Sequence, residues 1–66
     1  MTTLLSEIKA GNVVAWEDGL GRTQVEVVFW SKRMQRLAVR GVFDEISIGH
    51  LAQIDNGLRI IGKEVI

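Results

Sequence analysis

Apolar and polar positions alternate along most of the chain with the two-residue period of β-strands. In residues 12–17 the apolar side chains occupy both faces of this alternation, Val14 and Trp16 on one and Val13 and Ala15 on the other. Apolar residues on both faces of a strand predict that both faces are covered. A first strand is therefore predicted over residues 12–17, between two glycine-containing turns.

The longest strand pattern covers residues 23–30. One of its faces is entirely apolar and is predicted to face the core, with the residues Val25, Val27 and Phe29. The opposite face begins with polar residues and ends with Val28 and Trp30, which are predicted to contact a neighbouring subunit.

Shorter patterns complete the chain. The spacing of Leu4, Leu5 and Ile8 predicts one or two helical turns at the N-terminus. Polar residues 31–35 predict a hairpin loop. Leu37 and Val39 are predicted to point inward from a third strand over residues 36–42, with Ala38 and Arg40 outward and a bulge or bend at Gly41. The remaining predictions are a strand over 45–48, a helical turn over 48–54 capped by Ser47, a turn at 55–57, and a last strand over 58–61 that the tail extends.

Five short strands with a helical turn before the last one predict an all-β fold. Over nearly the whole chain this order resembles the SH3-like small β-barrels, which implies a five-stranded barrel with a short N-terminal helix. The type II dihydrofolate reductases are similar small barrels that form a tetramer around one active pore. Their Val-Gln-Ile-Tyr segment corresponds here to residues 45–48, Glu-Ile-Ser-Ile, so the glutamine and tyrosine that would carry that activity are missing.

The length of 66 residues predicts a single domain over residues 1–66. A chain of this size buries only about 60% of its unfolded surface, and it has no cysteine to form a disulfide. Because 47% of its residues are apolar, more than a small core can hold, a homo-oligomer or an obligate partner is expected. The N-terminus lacks a signal-peptide pattern, and no stretch has the apolar length of a membrane span. A cytoplasmic protein without membrane contact is therefore expected.

Catalytic residue types are scarce, with one histidine, no cysteine and no tyrosine. His50 has no second histidine near it, and it is predicted to be a partly exposed imidazole on the helical turn, hydrogen-bonded to a nearby carbonyl or carboxylate. The acidic pairs at 17–18 and 44–45 fall at turns, where neighbouring carboxylates point apart. The Gly19-Leu20-Gly21 turn lacks the helix and lysine of a phosphate-binding loop. No enzyme activity, metal or cofactor is predicted.

The best candidate for function is the basic hairpin after the longest strand. It combines the aromatic residue Trp30 with four basic residues, Lys32, Arg33, Arg36 and Arg40. Cations for phosphates and a flat ring for a base suit nucleic acid, whereas arginines also bind carboxylates of an acidic protein. Eight basic and eight acidic residues cancel over the chain, so only this local group favours nucleic acid. The remaining alternative is a solvated loop with Trp30 in a subunit interface.

Trp16 has two interpretations, a core or interface residue or part of an aromatic groove with Trp30. Residues Trp16, Val28 and Trp30 are the predicted interface. The predicted function is a non-catalytic accessory or regulatory module that binds nucleic acid through the basic hairpin. The alternative is a protein-interaction or assembly module, for example of a phage or plasmid system, that self-associates through apolar faces.

Overall fold

The computed structural model describes residues 5–41, 43–53 and 56–64. Most of these residues form β-strands, with one 3-10 turn and one short helix. In chain order the elements are the 3-10 turn Leu5–Glu7, β1 (Asn12–Glu17), β2 (Thr23–Val27), β3 (Phe29–Ser31), β4 (Arg36–Arg40), β5 (Glu45–Ser47), α1 (Ile48–Ala52) and β6 (Arg59–Lys63).

The strands form two antiparallel three-stranded sheets. The first sheet has the order β2-β1-β6 and the second the order β3-β4-β5. The strand predicted over residues 23–30 is divided at Val28, so β2 belongs to the first sheet and β3 to the second. The all-β class is confirmed. In the described strands no ladder joins the sheets into a closed barrel, so the five-stranded barrel stays a prediction.

The hydrophobic core lies between the sheets and under the helix. Its buried members come from the N-terminal turn, both sheets, the helix and the segment before β6, and they are Ile8, Val14, Trp16, Val28, Val39, Ile48, Leu51 and Leu58. Leu37, Ile46 and Ile60 pack against them and are partly buried. The inward orientation predicted for Leu37 and Val39 is therefore confirmed, but Ala38, predicted to point outward, is buried as well.

The predicted core face of residues 23–30 is wrong. Cross-strand pairs place Gln24 opposite Trp16 and Glu26 opposite Val14, so the even-numbered residues of β2 share the side of the core. Val25 pairs with Ala15 on the outer side and is 51% exposed. The polar residues are tolerated on the inner side because β2 is an edge strand, where side chains reach solvent between the sheets.

The turn between β4 and β5 brings the backbone of Gly41 close to the backbone of Asp44. The N–H of Gly41 donates to the carbonyl of Asp44 at 2.8 Å. A Cβ atom at this position would lie 2.5 Å from that carbonyl oxygen and 2.7 Å from Cδ1 of Ile46, so only glycine fits without a shift. The bulge or bend was predicted within a strand over residues 36–42, but β4 ends at Arg40 and Gly41 lies just beyond it, at the turn.

The capped helix is confirmed. The Ser47 hydroxyl accepts a hydrogen bond from the N–H of His50 at 3.1 Å, which satisfies one of the free donors of the helix start. Ile48 and Leu51 point into the core, while Ala52 is exposed. The helix ends at Ala52, and the predictions for residues 4, 42, 54–55 and 65–66 lie outside the described residues.

The last strand begins one residue later than predicted, at Arg59, and continues into the predicted tail as far as Lys63. It pairs with β1, and the register shifts between Val13 and Val14, where Ile61 has no direct partner. No helix within the described residues has the length and apolarity needed to cross a membrane.

Candidate functional site

The five residues predicted to bind nucleic acid or a partner do not form one cluster. Arg36 lies beside Trp30, and Lys32 is exposed in the loop between them. Arg33 turns back over the second sheet, and Arg40 lies at the opposite end of β4 from Arg36. The structure therefore divides the predicted site into three parts with different electrostatic surroundings.

Arg33 is held by the acidic pair at the start of β5. Its Nη2 atom lies 2.8 Å from Oδ1 of Asp44, and its Nε atom lies 3.8 Å from Oε2 of Glu45. Glu45 also accepts a hydrogen bond from the hydroxyl of buried Ser31, which in turn accepts one from the N–H of Met34 at 3.1 Å. The two carboxylates lower the positive electrostatic potential around Arg33, so Arg33 is expected to attract a phosphate less than an arginine without acidic neighbours.

Trp30 forms the wall of an open groove of about 390 Å³. Trp30 is 53% exposed, whereas Leu37, its cross-strand partner, is partly buried against the core. Leu37 and Ile48 supply apolar surface, and Gly49 leaves the floor open because no atom lies within 4 Å of its missing side chain. This groove, called the Trp30 groove below, combines an aromatic face with an apolar floor.

The polar part of the Trp30 groove comes from the hairpin loop. Gln35 adopts a left-handed conformation with φ of 56°, and its side-chain amide donates to the carbonyl of Lys32 at 2.7 Å. Arg36 donates from Nε to the carbonyl of Met34 at 3.2 Å, which holds the guanidinium close to the loop. None of the described residues lining the groove is acidic, so its electrostatic potential is set by Arg36.

Arg40 belongs to a second groove, of about 230 Å³, that is lined by residues of both sheets. Trp16 forms part of its wall, and the side chains of Gln24 and Glu26 line it together with Arg40. Because Glu26 carries the opposite charge, this groove has a mixed electrostatic character and does not continue the basic surface predicted from the sequence.

Asp18 organises the loop between β1 and β2 at the end of this second groove. Its Oδ1 atom accepts from the N–H groups of Leu20 and Arg22 at 2.8 and 2.9 Å, and its Oδ2 atom accepts from the Gln24 amide at 2.7 Å. These donors stabilise the ionised carboxylate, the backbone N–H of Arg22 most and the Gln24 amide next, and they lower the pKa of Asp18 from 3.8 to about 2. Asp18 therefore holds the turn as an ionised carboxylate.

The predicted interface residues Trp16 and Val28 lie in the core. Trp16 is 6% exposed and Val28 is 1% exposed, so neither can contact a second chain substantially. Of the three residues predicted to form the interface, Trp30 alone is exposed. The predicted aromatic groove of Trp16 and Trp30 is also not formed, because the two residues lie in different sheets. Trp16 pairs with Gln24 in the first sheet, whereas Trp30 pairs with Leu37 in the second.

The described residues contain no group of three or more histidine, cysteine, aspartate or glutamate side chains arranged to hold a metal ion. His50 is exposed on α1. The sequence analysis missed the contributions of Ile48 and Gly49 to the Trp30 groove. The signal for them is weak, since it requires knowing that α1 packs against the end of the second sheet.

Comparisons with protein-family models, with curated proteins and with solved structures find no match to this chain.

Proposed function

We propose that this chain is a non-catalytic binding module that holds single-stranded nucleic acid in the Trp30 groove. The observation that carries the proposal is the half-exposed Trp30 ring in a groove with Arg36 and without an acidic lining residue among those described. A base stacked on Trp30 would place its phosphate within reach of Arg36 and Lys32. Unpaired bases suit the site because stacking requires a free base face.

The expected affinity is modest. Stacking of one base on an aromatic side chain contributes about 1–3 kcal/mol, and each phosphate contact adds a salt-dependent contribution. Arg33 is paired with Asp44, Arg40 lies in the second groove beside Glu26, and the net charge of the chain is zero. Only Lys32 and Arg36 are therefore expected to contact phosphates. The salt dependence of the binding constant should then correspond to about two phosphate contacts.

The intrinsic fluorescence of the two tryptophans gives a direct test, because Trp16 is buried and Trp30 is exposed. We expect a short oligothymidylate to quench the emission of the wild-type protein at low salt. Trp30→Phe, which leaves only Trp16, should lose the quenching. Unchanged emission of the wild-type protein at high oligonucleotide concentration would contradict the proposal.

Charge variants separate the three parts of the predicted site. Arg36→Gln should weaken binding and reduce the salt slope by about one contact. The double variant Arg33→Gln/Asp44→Asn is the matched control, because it removes the ion pair without changing the net charge and should be nearly neutral for binding. Equal losses in both variants would show that the charge of the whole hairpin, and not the Trp30 groove, carries the affinity.

An acidic protein partner is the second candidate for the same groove, because Arg36 can also bind a carboxylate. It predicts binding of acidic peptides with an apolar or aromatic residue and no response to oligothymidylate. The same fluorescence titration with such a peptide distinguishes the two ligands.

We also infer that the two sheets form an open version of the SH3-like barrel. Three features support this inference: one long strand pattern is shared by both sheets through the bend at Val28, every ladder is antiparallel, and a short helix precedes the last strand. A nuclear magnetic resonance structure would test it through contacts between the edge strands β5 and β6, on the side away from the shared strand pattern. Their absence would leave two stacked sheets.

A further inference from the structure

Gln35 has a backbone conformation that residues other than glycine seldom adopt. It closes the hairpin loop between β3 and β4 with φ of 56°, and its N–H donates to the carbonyl of Ser31 at 2.7 Å. Within the described residues it is the one non-glycine residue with a positive φ. Glycine and asparagine take this left-handed conformation most readily. Loop closure alone therefore favours glycine at this position and does not account for a long polar side chain.

The side-chain amide of Gln35 has a fixed orientation. Its Nε2 atom donates to the carbonyl oxygen of Lys32 at 2.7 Å. Because a carbonyl oxygen only accepts hydrogen bonds, the amide nitrogen must face Lys32, and the Oε1 atom is turned away from that carbonyl. No group in the described part of the chain donates a hydrogen bond to Oε1. The loop thus presents an oxygen that can accept a hydrogen bond from a ligand.

Gln35 is also one of the residues that line the Trp30 groove. It is exposed, and it lies two residues before Leu37, the cross-strand partner of Trp30. Two residues along a strand correspond to about 7 Å, a separation that aromatic and long side chains span. The groove therefore offers three different groups to one nucleotide, the ring of Trp30, the cation of Arg36 and the neutral acceptor of Gln35.

We propose that Gln35 makes the Trp30 groove selective for cytosine or adenine over thymine. The proposal rests on the binding of single-stranded nucleic acid proposed above and specifies the base that the site prefers. Cytosine and adenine each carry an exocyclic amino group, a donor, where thymine carries the acceptor O4. The amino group donates to Oε1 of Gln35, whereas O4 would face Oε1 with its lone pairs. The remaining donor of thymine, N3–H, lies between two carbonyl oxygens that repel an approaching acceptor.

Fluorescence titrations with oligodeoxycytidylate and oligodeoxyuridylate of equal length test the preference. Uracil has the O4 of thymine without its methyl group, so the two probes have rings of the same size and the same phosphates. One neutral hydrogen bond changes a dissociation constant by about fivefold. We therefore expect the midpoint of the titration to lie at an about fivefold lower concentration for oligodeoxycytidylate.

Gln35→Gly removes the acceptor and keeps the loop, because glycine accepts the φ of 56° without strain. It should bind both oligonucleotides with the affinity that the wild-type protein has for oligodeoxyuridylate. Gln35→Asn is a second variant, because asparagine also tolerates a positive φ but its amide is one methylene group closer to the backbone. It should lose the preference as well. Circular dichroism and urea unfolding show that each variant is folded.

Two control variants separate base selection from other effects. Arg36→Gln should weaken the binding of both oligonucleotides by the same factor, because it removes a phosphate contact that the two share. Gln53→Ala changes an exposed glutamine at the end of α1, which does not line the groove, and should leave both dissociation constants unchanged. If Gln35 served loop closure only, its variants would alter stability or weaken both oligonucleotides equally, and the ratio of the two constants would stay at the wild-type value.

Three results would overturn the proposal, and they differ in what they leave standing. If the wild-type protein binds oligodeoxyuridylate as tightly as oligodeoxycytidylate, the base preference is wrong and the proposed function remains. If the preference survives in Gln35→Gly and Gln35→Asn, another group selects the base. If neither oligonucleotide changes the emission of the wild-type protein, the proposed function and the base preference fall together.

Discussion

Substitution of Gly41 by alanine tests the close turn between β4 and β5. The added Cβ atom would lie 2.5 Å from the carbonyl oxygen of Asp44, about 0.8 Å less than the ~3.3 Å of a close carbon–oxygen contact. The other near neighbour is the side chain of Ile46, with Cδ1 at 2.7 Å. A side chain can rotate away, but the backbone carbonyl moves only if the turn opens.

The cost of this opening follows from the contacts at the turn. Overpacking in a tight site costs about 1–3 kcal/mol. Moving the Asp44 carbonyl also weakens its hydrogen bond from the Gly41 N–H, which contributes about 0.5–1.5 kcal/mol. We therefore expect Gly41→Ala to lower the free energy of unfolding by about 2–4 kcal/mol. A domain of this size has a total stability of about 3–10 kcal/mol, so the loss is a large fraction of it.

Urea unfolding followed by circular dichroism measures the effect. With a slope of about 1 kcal/mol per molar urea, the midpoint should fall by about 2–4 M, or the variant should be unfolded without urea. Gly49→Ala is the control. Nothing lies within 4 Å of its Cβ position on α1, and alanine in a helix should raise the stability by about 0.5–1 kcal/mol. A midpoint for Gly41→Ala within experimental error of the wild type would refute the close approach.

Two further substitutions test local hydrogen bonds, again by urea unfolding. Because the pKa of Asp18 is lowered to about 2, its stabilising contribution is complete above the unfolded-state value of 3.8 and is lost as the pH falls towards 2. Asp18→Asn should remove this part of the acid dependence, and an unchanged pH profile between 4 and 2 would contradict the assignment. Ser47→Ala should lower the free energy of unfolding by about 0.5–2 kcal/mol because the N–H of His50 loses its acceptor. Ser47→Asp should keep the cap, and equal losses in both variants would show that the hydroxyl is not the stabilising group.

The positions of the strands could be predicted because they depend on local patterns. β1 has the predicted bounds, and the predicted strands before and after Gly41 are both present, as is the helix capped by Ser47. These features arise from alternation, from glycine and from side-chain caps, which act over a few residues. They need no knowledge of which strands lie side by side.

The orientation of the 23–30 segment could not be predicted in the same way. Its apolar face, Val25 and Val27, looks like a core face by composition, yet the pairing with β1 turns it outward. The core side is decided by Val14 and Trp16, the members of β1 that meet the second sheet and the helix. A one-residue difference in register reverses every side chain, and register is a property of two strands together.

The candidate site shows the same division. The sequence identified Trp30 and Arg36 as neighbours in a hairpin, and the structure brings them to one groove. It did not indicate that Arg33 would be paired with Asp44, eleven residues later, or that Arg40 would face a different groove. The net charge of a segment can be summed from the sequence. The electrostatic potential at one cation, however, depends on which opposite charges the fold places within a few ångströms of it.

The sequence by itself therefore determined the β class, the turns and the set of side chains available for binding. These depend on backbone preferences of single residues and on two-residue alternation. The tertiary structure decided which face of each strand is buried, which cations stay unpaired among the described residues, and that an apolar surface around Val25 and Ile61 stays exposed. These features depend on contacts between residues far apart in the chain, and such contacts exist only in the folded protein.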